Sequence, residues 1–282
     1  MNGWVNGFLG VLIFSASLPA TRVAVKGFDP LFLTCIRASI AALLGLALLL
    51  VFRQKRPTRA DFVPLIIVSF GVVIGFPLLT ALALEHVTSA HSIVYIGLLP
   101  LATAAFAVLR AGERPSFLFW VFSGIGSALV LTFALFHGFA LSPIGDAYML
   151  GAILVCGMGY AEGAKLARTL GGWQVVSWAL LMSLPLMAAL AFIFKPDTLM
   201  GIATPSWIGL AYVSTFSMLI GFVFWYRGLA QGGIAKVGQL QLLQPFFGLM
   251  IAAGILGERI EWSMLGVTVA VALCVLITKR VS

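Results

Sequence analysis

Apolar residues run almost unbroken along this chain, and the polar ones fall in short clusters between the runs. An α-helix rises 1.5 Å per residue, so crossing a hydrocarbon core of about 30 Å takes about 20 mostly apolar residues. Ten runs meet that length: 4–25, 31–52, 62–84, 89–109, 116–136, 147–167, 173–194, 206–229, 235–256 and 262–279. The clusters between them read as turns, for example Asp29-Pro30, Glu113-Arg114-Pro115, Ser142-Pro143 and Gly171-Gly172. The first run has no Lys or Arg ahead of it, so it is taken as a spanning helix and not as a cleavable signal peptide.

Composition supports a membrane solvent. The chain is 61% hydrophobic and 9% charged, whereas soluble domains carry about 25% charged residues. Cys35, Cys156 and Cys274 all lie inside apolar runs, which predicts buried thiols and neither a disulfide framework nor a metal site. The net charge of +8 comes from Lys and Arg strewn between the runs, not from one basic face, so no nucleic-acid partner is expected. With the N-terminus inside, twelve Lys and Arg fall on the inner side and four on the outer, with Arg37 inside the second span completing the 17. Cytoplasmic loops hold the excess of positive charge, so both termini are predicted in the cytoplasm.

A shift of 145 residues lays the two halves on each other without a gap. Leu84 falls on Leu229, Pro100 on Pro245, and Gly112-Glu113-Arg114 on Gly257-Glu258-Arg259. Residues 1–140 and 141–282 are therefore read as two repeats of five spans each. An odd number of spans forces the second copy to enter from the opposite side. Such inverted repeats are typical of secondary transporters, with the cargo site near the midplane between them. The fold expected is thus an all-α polytopic membrane protein of ten helices in two inverted five-helix repeats.

The two helix–loop–helix segments, Ala90…Pro100-Leu101…Gly112-Glu113-Arg114…Gly124 and Ala235…Pro245…Gly257-Glu258-Arg259…Gly266, make the chain resemble the drug/metabolite transporter superfamily, specifically its EamA-type members. Arg37 also matches the family pattern. Within the family the chain is most similar in overall character to the YddG-type aromatic amino acid exporters. That resemblance implies a multi-pass protein of the bacterial inner (plasma) membrane. It also implies export from the cytoplasm through a central cavity lined chiefly by spans 1, 3, 4, 6, 8 and 9.

Several residues are candidates for that pathway. Pro100 and Pro245 lie ~16 and ~15 Å into spans 4 and 9, where each frees the carbonyl four residues back, those of Ile96 and Gln241. Their matched placement suggests hinges for gating. Gln241 and Gln244 are about 60° apart on span 9 and are expected to face the cavity, while Gln239 points elsewhere. His91 and Tyr95 share a face of span 4. Trp225 continues the stripe of Ser214, Ser217 and Gly221 and offers a stacking wall, whereas Tyr226 reads as an interfacial belt residue. Arg37 either holds a cargo carboxylate or pairs with helix-end carbonyls.

Eight of the nine acidic residues fall in loops or at helix ends; Glu162 is the one carboxylate within the membrane, with Lys165 three residues on as its expected partner. Proton-driven carriers keep carboxylates deep in the bundle, so Glu162 is the one possible coupling residue and uncoupled facilitated diffusion by alternating access is expected. No nucleophile–base, metal-ligand or nucleotide-binding pattern points to an enzyme, and no cofactor is called for. The expected partners are a small-molecule substrate and the lipid bilayer, and the reading allows a monomer. A membrane scaffold and an intramembrane enzyme are the competing classes; within transport, the competing cargoes are drugs, organic cations and other metabolites.

Overall fold

In a computed structural model of the chain, residues 2–84, 86, 95–135, 142–196, 198–256 and 262–281 are described. Every regular element among them is helical. The predicted turn clusters act as helix caps. Asp29 accepts from the amides of Leu31 and Phe32 at 2.9 and 3.0 Å and, with Pro30 in the first turn, starts α3 (Pro30–Val51). Asp61 accepts from the Thr58 amide at 2.8 Å and opens α4 (Arg59–Val68). Ser142 and Pro143 open α8 (Pro143–Leu170) in the same way.

Ahead of these elements, α1 (Gly3–Ser15) and α2 (Ser17–Ala24) form one rod interrupted at Ala16. After α4 comes a π-helical segment, Ser69–Gly75, and then α5 (Phe76–Leu84). Next are α6 (Leu99–Ala111) and α7 (Phe117–Leu135). Beyond α8 lie α9 (Gly172–Ile193), α10 (Thr204–Tyr212), a second π-helical segment Val213–Ile220, and α11 (Gly221–Gly232). The chain ends with α12 (Ile234–Gly238), a 3-10 segment Gln239–Leu243, α13 (Gln244–Leu256) and α14 (Trp262–Val281).

These boundaries keep the 145-residue register. Leu99 and Gln244, 145 apart, both start helices. The two π-helical segments begin at Ser69 and Val213, and the buried serines Ser69 and Ser214 are themselves 145 apart. Such segments widen the helix by one residue per turn and recur at functional positions.

Six helices among the described residues are long and apolar enough to cross a bilayer: Gly3–Thr21, Pro30–Val51, Arg59–Thr80, Pro143–Leu170, Gly172–Ile193 and Thr204–Gly232; Leu99–Ala111 and Phe117–Thr132 are shorter apolar helices. Spans 4 and 9 differ from expectation. Span 9 is not one continuous helix but α12, a 3-10 turn and α13. Span 4 has a turn at Gly97–Leu98 immediately before α6. Both prolines therefore occupy the second residue of a new helix instead of the middle of a kinked one. Proline is tolerated there because first-turn amides have no intrahelical acceptor to lose. The carbonyl of Gln241, expected to be freed by Pro245, instead accepts from the Gln244 amide in the tighter 3-10 winding.

Helix α8 sits inside the bundle, against α6 on one side and α4 and α5 on another, and it also meets α11. Helix α1 runs along α11, α3 along α9, and α7 along α14. The α1–α11 contact is backbone-close: a Cβ on Gly228 would stand 2.5 Å from the Gly7 nitrogen, so glycine is required there. Large apolar side chains such as Phe117, Phe192 and Ile193 are exposed on the outside. That inversion suits lipid as the solvent.

Candidate functional site

Three helices meet at a cluster of five aromatic rings: Phe14 of α1, Tyr160 of α8, and Phe222, Trp225 and Tyr226 of α11. Phe222 lies 5.0 Å from Phe14 and 6.1 Å from Tyr160, and Trp225 lies 6.2 and 5.6 Å from the same two rings. These four pairs meet edge-on, the arrangement that the ring quadrupoles favour. Tyr226 tilts against Phe222 at 5.4 Å and donates a long 3.4 Å hydrogen bond to the Gly159 carbonyl. Trp225 and Tyr226 are fully buried. Tyr226 is thus a core residue and not an interfacial belt residue, because Gly163 leaves room for its ring: a Cβ there would stand 2.4 Å from it.

Neutral polar groups line this cluster. The Tyr160 phenol lies against Cys156 and Gln241. Gln241 is buried; its amide engages the Tyr160 phenol, while its Oε1 has no hydrogen-bond partner among the described residues. The same holds for Trp225 Nε1 and for Thr103 Oγ1 of α6. The Thr103 methyl is 3.5 Å from where a Gly238 Cβ would stand, at the end of α12. An unmet buried donor or acceptor costs about 1–3 kcal/mol. Uncharged donors and acceptors against aromatic faces suit a small planar solute with a polar end.

Of the other span 9 glutamines, Gln239 is buried too; its Oε1 accepts from Ser123 Oγ of α7 at 2.9 Å, while its Nε2 has no hydrogen-bond partner among the described residues. Gln244 is half-buried at the start of α13. Tyr95 is half-buried and its hydroxyl engages Asp146 in the first turn of α8. Arg37 of α3 has a buried Nε without a hydrogen-bond partner among the described residues. His91 lies outside the described residues.

A layer of ion pairs sits at the end of the bundle where α6 stops and α12 starts, the predicted cytoplasmic end. Glu162 accepts from Arg110 Nε at 2.8 Å, with side chains 2% and 43% exposed. Its partner is therefore Arg110 on α6 and not Lys165, because the α8 face carrying Glu162 packs on α6. Glu113 accepts from Arg168 at 2.9 Å and from the backbone amides of Ile234 and Ala235 at 2.8 and 2.9 Å. Gly112, at φ +68°, ends α6 in the left-handed conformation and so turns the chain toward Glu113.

The EamA-like transporter family's sequence profile matches the chain twice, over residues 1–140 and 143–279. This chain belongs to that family. The uncharacterized transporter YdeK of Bacillus subtilis (strain 168) is 66% identical over 279 residues, 99% of this EamA-like chain and 97% of its own. A protein described as a "Probable terminal-alkyne amino-acid exporter", from Streptantibioticus cattleyicolor, is 22% identical over 277 residues, 96% of this chain and 92% of its own. A crystal structure superposes with a TM-score of 0.81 at 18% identity, covering 99% of this chain and 97% of that one, which shows a shared fold.

For this EamA-like transporter the structure unites only two of the sequence candidates, Trp225 and Gln241, at one centre. It adds Tyr160, Phe14 and Phe222, with Thr103 of α6 against α12. Tyr160 had a signal in sequence, standing among Gly157, Gly159 and Gly163 on a helix too glycine-rich for simple packing. Phe14, Phe222 and Thr103 had none, being ordinary residues of apolar runs. Glu113 was visible as part of a repeated motif, but not its partners, which lie 55 to 122 residues away.

Proposed function

We propose that this integral membrane transporter exports small, planar, amphipathic metabolites from the cytoplasm, foremost aromatic and hydrophobic amino acids. It does so by alternating access between two inverted five-helix repeats, with both termini cytoplasmic. One observation carries the reading: the buried Gln241 amide and the buried, unpartnered indole N–H of Trp225 stand at the aromatic cluster where α1, α8 and α11 meet. The distant relative described as an amino-acid exporter supports the cargo class, and the 145-residue register of helix starts supports the repeat. Glu162 is bound to Arg110, which favours movement down the cargo's own gradient over proton coupling. Bacterial relatives support a place in the inner membrane.

Competition between labelled phenylalanine and unlabelled amino acids in proteoliposomes tests the site. Replacing Gln241, Trp225 or Tyr160 by Ala should flatten selectivity among aromatic cargoes at normal protein level. Unchanged competition profiles in all three would move the site elsewhere. Selective flux of quaternary ammonium ions with none of amino acids would replace the cargo by organic cations.

A further inference from the structure

We propose that Glu113 is the latch that holds the predicted cytoplasmic face of the pathway shut, by capping from across the repeat boundary the same short segment that carries Gln241. The proposal rests on the transport reading above.

A helix normally draws its N-terminal acceptor from its own Ncap residue, most often Ser, Thr, Asp or Asn. Helix α12 has no such residue. Its Ncap is Gly233, held at φ +89°, and no side chain of its own caps it. The acceptor comes instead from Glu113, whose two oxygens take the first two amides of α12, one each. The same carboxylate also holds Arg168 at the end of α8. One side chain of the first repeat thereby ties two separate elements of the second. The pair Arg110–Glu162, one helical turn earlier on α6, makes a parallel tie.

A cap supplied from another part of the chain has a consequence that a local cap lacks. If the two repeats part at this face, the amides of Ile234 and Ala235 lose their acceptors and Arg168 loses its counter-charge. Water entering the opened face hydrates all of them, so the state is accessible but disfavoured. Glu113 side chains are 17% exposed, so water is already at hand. The capped helix is five residues long and passes directly into the 3-10 turn that presents Gln241. Cargo binding at Gln241 and capping by Glu113 therefore act on one segment, Ile234 to Leu243, from its two ends.

The test uses the full-length protein in inside-out vesicles. Ala235→Cys, buried at the latch, reports opening through its rate of reaction with a membrane-impermeant maleimide. Native Cys274, buried toward the predicted cytoplasmic end of α14, reports general loosening. Glu113→Gln keeps the side-chain length but loses the charge and turns an NH2 group toward an amide donor. Losing one charge-assisted hydrogen bond should raise labelling at 235 about tenfold while Cys274 stays unreactive. Arg168→Gln leaves the two caps in place and should have a smaller effect. Unchanged labelling at 235, or an equal rise at Cys274, overturns the latch. A second measurement separates a gate from a permanent cap. A disulfide between Glu113→Cys and Ile234→Cys should stop amino acid flux until it is reduced. Full flux through the cross-linked protein would show that the contact never opens and sink the proposal. Labelling needs no cargo, so its failure is distinct from failure of the cargo assignment.

Discussion

Replacing Gln241 by Leu separates a functional amide from a structural one, because the two roles predict opposite signs for stability. Gln241 Oε1 is buried with no hydrogen-bond partner among the described residues, while the amide's other contact is the Tyr160 phenol. An unmet buried acceptor costs the folded state about 1–3 kcal/mol. Leucine fills nearly the same space with no polar atom, so the variant should be more stable by at least about 1 kcal/mol. The backbone is unaffected, since the bond from the Gln244 amide to the Gln241 carbonyl does not involve the side chain. For a chain of this length 1 kcal/mol raises the melting temperature by about 2–4 °C. Cargo should suffer the reverse effect, with half-saturation weakened about tenfold by the loss of one hydrogen bond. Gln239→Leu is the control: it relieves one unpartnered Nε2 but strands the buried Ser123 hydroxyl, whose acceptor is Gln239 Oε1, so the two effects offset and no net gain is expected. Melting of the detergent-solubilised protein, followed by tryptophan fluorescence, reads stability; flux in proteoliposomes reads binding. A Gln241→Leu protein that melts several degrees lower and transports normally would refute the reasoning.

The remaining expectations concern gating, coupling and topology. Pro100→Ala and Pro245→Ala each restore a backbone donor that lets the broken spans wind as single helices; transport should slow while expression holds, and full rates in the double variant would make the prolines architectural. Glu162→Gln removes the partner of a half-exposed Arg110 and should cost about 1–2 kcal/mol, less than a fully buried pair, yet flux should persist with no pH gradient and with a proton ionophore present. Uptake driven by an imposed pH gradient and lost in Glu162→Gln would make that residue the coupling site. Single cysteines at positions 56 and 280 should label from the cytoplasm and those at 141 and 197 from outside; termini on opposite sides would exclude an even number of spans.

Much of the helix layout is legible in sequence because lipid imposes one simple requirement, a long apolar run whose backbone satisfies itself. Asp29, Ser142 and the prolines beside them mark helix starts that the structure reproduces as caps. Departures from regular winding were not legible. The π-helical segments and the 3-10 turn at Gln239–Leu243 leave no trace in an apolar periodicity, which predicts an unbroken span 9. The site was half legible for a related reason. Polar residues in a membrane segment announce themselves, as Gln241 did, but Phe14 and Phe222 look like any lipid-facing phenylalanine. Charge pairing was the least legible, since Glu162 has a basic residue three positions away and yet pairs with Arg110, 52 positions back.

The central claim, that this protein moves amphipathic amino acids through a centre built on Gln241 and the aromatic cluster, is tested most directly by efflux. Purified protein would be reconstituted into proteoliposomes preloaded with a panel of labelled amino acids, with no ion or pH gradient. Aromatic and hydrophobic amino acids should leave faster than from empty liposomes, charged ones should not, and Gln241→Ala should erase that preference. Efflux of every panel member at the rate of protein-free liposomes would contradict the account.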